Sequence, residues 1–301
     1  MKYYGLNREQ IGSDVSINFL MTYYLDKNIE EKHGLELDKQ FDDWHSNLPD
    51  FAWPNWCFGS HDSRRITSRL PSKDLIDAFY MLLLLQSGTS LIYYGDEIGM
   101  CDRPFTLEHR EEILDITAFN FGNQYVEQKT RDCQRTPMQW TSQSVHAGFT
   151  SSTSQPYLPL SETWKNVNVE QQEDSSRSHL KFFRQLIHLR RQAPFYGGYQ
   201  KKLFVTKEIY SLVRWLEEKV FLLVININSN DTIAINFNNI FHCHDKILVG
   251  EIIARSCNIL DSSSIGNEGN QIDLSNLRLR SNEAVLFKLF LSPNDLSLSC
   301  T

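Results

Sequence analysis

The hydrophobic pattern of the 301-residue chain changes at about Tyr199, and this change most constrains its possible fold. Before this point, short apolar runs rich in β-forming residues alternate with helical segments. The apolar runs are Val15–Met21, Asn55–Phe58 and Leu91–Tyr94. The helical segments are Asp26–Asp43, Lys73–Leu85 and Ser178–Arg191. Strands that alternate with helices along the chain predict parallel βα units.

After Tyr199, strand-like runs follow one another directly and are separated by clusters of turn-forming residues. They are Leu203–Val205, Ile209–Trp215, Val220–Ile227 and Ala284–Phe290. Consecutive short strands joined by turns predict an antiparallel all-β module. The sequence therefore predicts an α/β domain in residues 1–195 and an antiparallel β-sheet domain in residues 196–301.

A long polar segment, Cys101–Ser161, interrupts the α/β region and is punctuated by glycine and proline. Loops of this length inside a domain are usually functional or disordered. Within it, we expect Met138 and Trp140 to anchor the loop by packing their apolar side chains against the protein.

A reactive pair of side chains follows the second apolar run. The run ends at Gly59, and His61 and Asp62 come next, with Arg65 three residues beyond Asp62. Parallel strands of a barrel present catalytic side chains at their carboxyl ends, and an arginine beside Asp62 would keep that carboxylate ionised. The alternative is a solvated turn whose polar side chains only cap the next helix.

Composition excludes several other classes of protein. A formal net charge of −7 without a basic stripe argues against nucleic-acid binding. The six cysteines lack the paired spacing of zinc sites, so we predict no metal, and both disulfides and free thiols stay open. No apolar run reaches the ~18–20 residues of a membrane span, and no signal peptide is visible at Met1, which predicts a cytosolic location for this chain taken alone.

Four blocks, in order along the chain, resemble glycoside hydrolase family 13, the α-amylase family. They are Trp56–Arg65, Ser90–Met100, Arg131–Trp140, and Trp164–Glu170 with Ser178–Leu180. The third block resembles a signature of the α-glucosidase and oligo-1,6-glucosidase branch. That branch also contains the rBAT-type heavy chains of heteromeric amino-acid transporters. The resemblance implies the C-terminal part of a (β/α)8 barrel, about strands six to eight, followed by an antiparallel all-β domain.

The resemblance also implies roles for the residues of the first block. Asp62 matches the carboxylate that stabilises the transition state, and His61 and Arg65 match substrate-binding residues. We expect no cofactor for this chain. The catalytic nucleophile and the acid lie on the family's fourth and fifth strands, so we expect them upstream of Met1, and we expect this chain alone to be inactive. Asp96 and Glu97 match a structural pair that closes a strand-to-loop turn.

One departure bears on function: Ser60 stands where the family usually has asparagine before the His-Asp pair. A shorter side chain could weaken substrate contacts or only cap the strand end. Two functions are therefore open. The first is an α-glucosidase acting on α-glucosides or oligosaccharides. The second is a transporter heavy chain that uses the barrel as an extracellular scaffold and binds a light chain.

A carbohydrate-binding remnant is less favoured than either, because half a barrel exposes open strand edges. For both favoured functions, we expect the parent protein to be secreted or to be the ectodomain of a type II membrane protein.

Overall fold

The computed structural model describes residue 4 and residues 12–13, 15–27, 33–227, 231–243, 247–259 and 265–294. The α-helices are α1 (Leu20–Leu25), α2 (Gly34–Asn47), α3 (Ile66–Arg69), α4 (Ile76–Leu85), α5 (Ile116–Phe119), α6 (Val126–Lys129), α7 (Val169–Asp174), α8 (His179–Arg190), α9 (Ala193–Tyr196) and α10 (Phe237–Ile240). The strands are β1 (Asn55–Cys57), β2 (Thr89–Leu91), β3 (Tyr199–Val205), β4 (Ile209–Leu216), β5 (Lys219–Asn226), β6 (Ile233–Ile235), β7 (Val249–Arg255), β8 (Gln271–Asp273), β9 (Leu277–Leu279) and β10 (Ala284–Leu289).

By their contacts, the residues group into two compact units. One contains residues 1–57, 74–90 and 182–301, and the other contains residues 58–73 and 91–181. The sequence-based division at residue 195 follows the change of hydrophobic pattern instead and stays a prediction.

The dominant element of the first unit is a six-stranded sheet in the order β3-β4-β5-β10-β7-β8, with all neighbours antiparallel. Its strands form because apolar residues on them meet a common core, in which Val224, Val285 and Phe287 are fully buried. The antiparallel module predicted from the sequence is confirmed. The sheet also contains β7 and β8, which the sequence pattern did not indicate.

The first predicted strand, Val15–Met21, is wrong. Residues 15–19 are irregular, and Leu20 and Met21 belong to α1. The backbone N–H of Asn18 donates to the Asn55 side chain rather than to a neighbouring strand, and the Asn18 side chain accepts from the N–H of Leu20 at the start of α1. The segment therefore makes side-chain hydrogen bonds where a strand would make a ladder.

The other predicted elements of this region are largely confirmed. Strand β1 lies within the predicted Asn55–Phe58 run, and α4 and α8 lie within predicted helices. The third strand, however, is Thr89–Leu91 rather than Leu91–Tyr94. The chain turns after it because the N–H of Tyr93 donates to the carboxylate of Asp96.

Among the described residues of the second unit, apolar side chains form two small clusters, and there is little regular structure. Short helices punctuate its long loop, as the polar composition predicts. One cluster surrounds Met138, whose side chain is buried as expected. The expectation for Trp140 is wrong, since 49% of that residue is exposed.

Two structural findings concern the described residues as a whole. None of the helices in the described ranges has the length and apolar character needed to cross a bilayer. In the same ranges, no three His, Cys, Asp or Glu side chains are grouped so that they could hold a metal ion.

Candidate active site

His61 and Asp62 lie in a tight turn in the second unit, a few residues after β1 along the chain. Ser60 and Ser63 face each other in an isolated antiparallel bridge, and the Ser60 hydroxyl accepts the backbone N–H of Asp62 at 3.2 Å. This turn leaves 66% of the His61 side chain and 53% of the Asp62 side chain exposed, with Nε2 of His61 3.3 Å from Oδ2 of Asp62. Both polar groups are therefore accessible to a ligand.

The Asp62 carboxylate is held by two guanidinium groups. Nη1 of Arg131 lies 3.1 Å from its Oδ1, and Nη2 of Arg135 lies 2.9 Å from the same oxygen. Nε of Arg135 also donates to the backbone carbonyl of His61 at 2.8 Å, and the Gln134 side chain donates to that carbonyl at 3.0 Å. These contacts fix the backbone of the pair and the direction in which the Asp62 carboxylate points.

Arg131 is fixed in turn by the buried carboxylate of Asp115. That carboxylate accepts from the backbone N–H, Nε and Nη2 of Arg131 at 2.9, 2.9 and 2.8 Å, and from the N–H of Thr117 at 3.2 Å. Hydrogen bonding to Arg131 holds the pKa of Asp115 far below its usual value. Asp115 thus stays ionised and orients Arg131 toward Asp62.

Arg65 occupies a different place from the one predicted. Its side chain is fully buried, and its Nη1 donates to the Tyr94 carbonyl at 2.7 Å and lies 3.8 Å from Oδ1 of Asp96. Its guanidinium also lies over the rings of Tyr93 and Tyr94, at 5.1 and 4.9 Å from their centroids. The expectation that Arg65 supplies the positive charge beside Asp62 is corrected, because Arg131 and Arg135 supply it.

The neighbouring turn depends on Gly95, whose φ of 84° favours glycine. A Cβ at this position would lie 2.9 Å from Nη1 of Arg65 and 2.3 Å from the Met100 sulfur. This close approach explains why a glycine stands there, and it packs the buried arginine against the turn that carries Asp96.

The remaining carboxylates considered from the sequence have other surroundings. Asp96 is buried, its Oδ2 accepts the N–H of Tyr93, and its Oδ1 forms an ion pair with Arg65, which are the contacts of a structural turn residue. Asp132 is also buried and accepts the N–H groups of Leu114 and Asp115 at 2.7 and 2.9 Å. Glu170 accepts the hydroxyl of Thr141. These bonds tie loop segments together.

Sequence reasoning missed Arg131, Arg135 and Asp115 as parts of this site. The two arginines lie 69 and 73 positions from Asp62, so no local spacing connects them to it. The available signal was their position, four residues apart, in the block Arg131–Trp140 that carries the family resemblance.

Comparisons with known proteins agree with one another. The family model described as "Alpha amylase, catalytic domain" matches residues 3–197. An alpha-glucosidase of Culex pipiens is 28% identical over 295 residues, which cover 97% of this chain and 45% of that protein. Maltase A1 of Drosophila melanogaster is 33% identical over 200 residues, covering 66% of this chain and 33% of that protein.

The amino acid transporter heavy chain SLC3A1 of Homo sapiens is also similar. It is 27% identical over 301 residues, covering 95% of this chain and 37% of that protein. This chain therefore spans less than half the length of each of these three relatives.

A solved structure shows the same fold. The trehalulose synthase MutB from Pseudomonas mesoacidophila superposes with a TM-score of 0.71 at 22% identity, covering 90% of this chain and 50% of that chain. The chain thus has the fold of the C-terminal part of a (β/α)8 barrel followed by an antiparallel β domain. Since the family model covers well over half of its residues, the chain belongs to the α-amylase family.

Proposed function

We propose that this chain is the C-terminal part of an α-glucosidase-type glycoside hydrolase that acts on α-glucosides in carbohydrate metabolism. The observation that carries the proposal is the half-exposed Asp62 carboxylate, fixed by Arg131 and Arg135 beside an exposed His61. A fixed anion of this kind accepts hydrogen bonds from sugar hydroxyls and stabilises the positive charge of an oxocarbenium-like transition state.

In this proposal, His61 donates a hydrogen bond to the sugar, and Asp62 stabilises the transition state. Arg131 and Arg135 are positioning residues because they hold the Asp62 carboxylate. Arg65, predicted as a substrate-binding residue, acts from a buried place by supporting the turn at Tyr94 and Asp96.

We further propose that the chain alone does not hydrolyse α-glucosides. Retaining hydrolysis needs a nucleophile and an acid/base about 5–5.5 Å apart. The carboxylate joined to Asp62 through Arg131 is Asp115, and its oxygens are engaged by four donors. Asp115 is therefore a poor substitute for either group, and we propose that the two reacting carboxyls are those of the family's fourth and fifth barrel strands.

The test is an assay of the purified chain on an aryl α-glucoside and on maltose, with Asp62→Asn as the control. We expect no turnover from either protein. Turnover by the chain that Asp62→Asn abolishes would overturn the proposed inactivity. In a longer protein that includes the upstream barrel, we expect Asp62→Asn to lower kcat by about 10²–10³-fold.

A second candidate function is that of an amino-acid transporter heavy chain. Two observations favour it: the similarity to SLC3A1, and Ser60 in place of the usual asparagine. In the structure, the Ser60 hydroxyl caps the turn by accepting the N–H of Asp62, a role that needs no sugar.

The upstream sequence of the transcript separates the two functions. A fourth-strand Asp and a fifth-strand Glu would support the enzyme. One membrane-spanning helix followed by a juxtamembrane cysteine, together with co-purification of a transporter light chain, would support the heavy chain.

A further inference from the structure

A cavity of about 360 Å³ lies in the first unit, beside helix α2 and strands β3 and β4. It is separate from the residues of the candidate active site, none of which lines it. Its polar lining residues are Asp38, Asp42, His45, Ser87, Gln200, Lys202 and Tyr210. A space of this size is in the range of small-molecule pockets and exceeds what one water molecule needs.

The most informative group in the lining is the Tyr210 hydroxyl. Tyr210 is only 2% exposed, and its ring packs against Phe41 at a centroid distance of 5.6 Å. No hydrogen bond to its hydroxyl is found among the residues that the structure describes, and the oxygen is not one of the polar atoms sealed from solvent, so it borders the open space of the cavity. Burial and the nearby Asp38 and Asp42 raise its pKa, so the hydroxyl keeps its proton and can donate.

Two further polar atoms of the lining lack partners among the described residues. Oδ1 of Asp38 is buried without a hydrogen bond. The amide nitrogen of Gln200 has no bond described, whereas its Oε1 accepts the N–H of Ser87 at 2.7 Å. The cavity thus offers a free donor on Gln200 and a hydroxyl on Tyr210, whereas Oδ1 of Asp38 is sealed from solvent and out of a ligand's reach.

The charges around the cavity balance. Lys202 Nζ lies 2.9 Å from Oδ2 of Asp38 and 2.5 Å from Oδ2 of Asp42, which leaves one negative charge. The buried guanidinium of Arg214 contacts Oε1 of Gln200 at 3.3 Å and adds a second positive charge at the edge of the lining. Because Lys202 pairs with both carboxylates and the Arg214 charge lies beside Gln200, neither a strongly cationic nor an anionic ligand is favoured.

We infer that this cavity binds a small uncharged polyhydroxylated molecule, either a monosaccharide or a polyol. A hydroxyl of such a ligand can accept from the Gln200 amide, and it can either donate to or accept from the Tyr210 hydroxyl. Its carbon skeleton would contact the rings of Tyr210 and Phe41. The site is independent of the sugar contact proposed for Asp62.

The inference is tested by titrating the full chain with D-glucose, glycerol and D-glucosamine in ligand-observed NMR and calorimetry. The background is the double variant His61→Ala, Asp62→Asn, which removes the candidate active site from the measurement. Tyr210→Phe deletes the unpartnered hydroxyl at nearly constant volume. Tyr157→Phe, at a residue that is 78% exposed, is the matched control.

We expect saturable one-site binding of D-glucose or glycerol with a Kd on the order of 1 mM. Losing one hydrogen bond corresponds to a Kd raised by about 2–10-fold in Tyr210→Phe, with no change in Tyr157→Phe. The tighter binder of the two neutral ligands shows whether the cavity prefers a monosaccharide or a polyol. If Tyr210→Phe fails to fold, Ser87→Ala, which removes another lining hydroxyl, replaces it with the same expectation.

Three results would overturn the inference. The first is no saturable binding of either neutral ligand up to about 100 mM, which would mean that the cavity holds water only. The second is binding that Tyr210→Phe and Ser87→Ala leave unchanged. The third is tighter binding of cationic D-glucosamine than of D-glucose, which would contradict the charge balance.

Discussion

The C-terminal sheet and the candidate active-site region are stabilised in different ways. In the sheet, backbone ladders join six strands, and fully buried residues such as Val224 and Phe287 fill the core. Around Asp62, by contrast, charged side chains such as Arg131 and Asp115 connect loop segments that have little regular structure. The sheet therefore depends on apolar volume, whereas the active-site region depends on charge and on the protonation of carboxylates.

The largest effect is expected from a cavity in the sheet. Phe287 is fully buried on the central strand β10, so Phe287→Ala should lower the free energy of unfolding by about 3–5 kcal/mol. Phe290→Ala is the matched control, because that residue is 51% exposed, and it should change stability by about 0.5 kcal/mol or less. Urea denaturation followed by circular dichroism measures both. Equal effects of the two variants would contradict the account of the sheet core.

The next effect concerns the charge network. Asp115→Asn removes the negative charge and one of the two acceptor oxygens that Arg131 uses, at a cost of about 1–3 kcal/mol in the free energy of unfolding. The exposed Asp43 provides the control substitution Asp43→Asn, which should have little effect. If Asp115→Asn is as well tolerated as the control, the network does not stabilise the loop.

Acid should weaken the same network. The Arg131 guanidinium holds the pKa of Asp115 below its usual value, so the folded state binds this proton less readily than the unfolded state. The resulting stability is fully present above the unfolded pKa of about 3.9 and is lost as the pH falls through the folded pKa. Unfolding free energies measured from pH 6 down to pH 2 should fall more steeply for the natural chain than for Asp115→Asn. Parallel curves for the two proteins would contradict this assignment.

The smallest effect on stability is expected at Arg135. Its ion pair with Asp62 is partly exposed, since 29% of the arginine side chain and 53% of the aspartate side chain are accessible. Arg135→Gln should therefore lower the unfolding free energy by about 1 kcal/mol or less, and added salt should reduce the difference further. Thermal melts at low and high salt measure this. A loss larger than that of Asp115→Asn would reverse the proposed order of the two arginine contacts.

The two regions also differ in how far the sequence predicts them. Short apolar runs separated by turn-forming residues indicated β3, β4, β5 and β10, because burial in the sheet leaves a local pattern in the sequence. Strand β7 was missed because Gly250 interrupts its pattern, and β6, β8 and β9 have only three residues each. The run from Val15 failed as a strand because its backbone groups at Ser16 and Asn18 bond to the Asn55 side chain rather than to the backbone of a neighbouring strand.

In the candidate site, the motif located His61 and Asp62 but not the groups that hold them. The partners of Asp62 are arginines 69 and 73 residues further along the chain. Contacts between residues so far apart produce no periodic pattern in the sequence, so the sequence could not predict them. The prediction for Arg65 was wrong because a residue three positions from Asp62 in the sequence was expected to lie beside it in space. The Arg65 side chain instead contacts Tyr94 and Asp96.

The central claim is that Asp62, fixed by two arginines, is a sugar-binding carboxylate, and it is tested most directly by titration with methyl α-D-glucoside. The background variant is Tyr210→Phe, so that the second cavity does not dominate the signal. We predict that Asp62→Asn weakens binding by about tenfold, the loss of one charged hydrogen bond, whereas Asp43→Asn leaves it unchanged. Equal affinity of Asp62→Asn and Asp43→Asn for the glucoside would contradict the account.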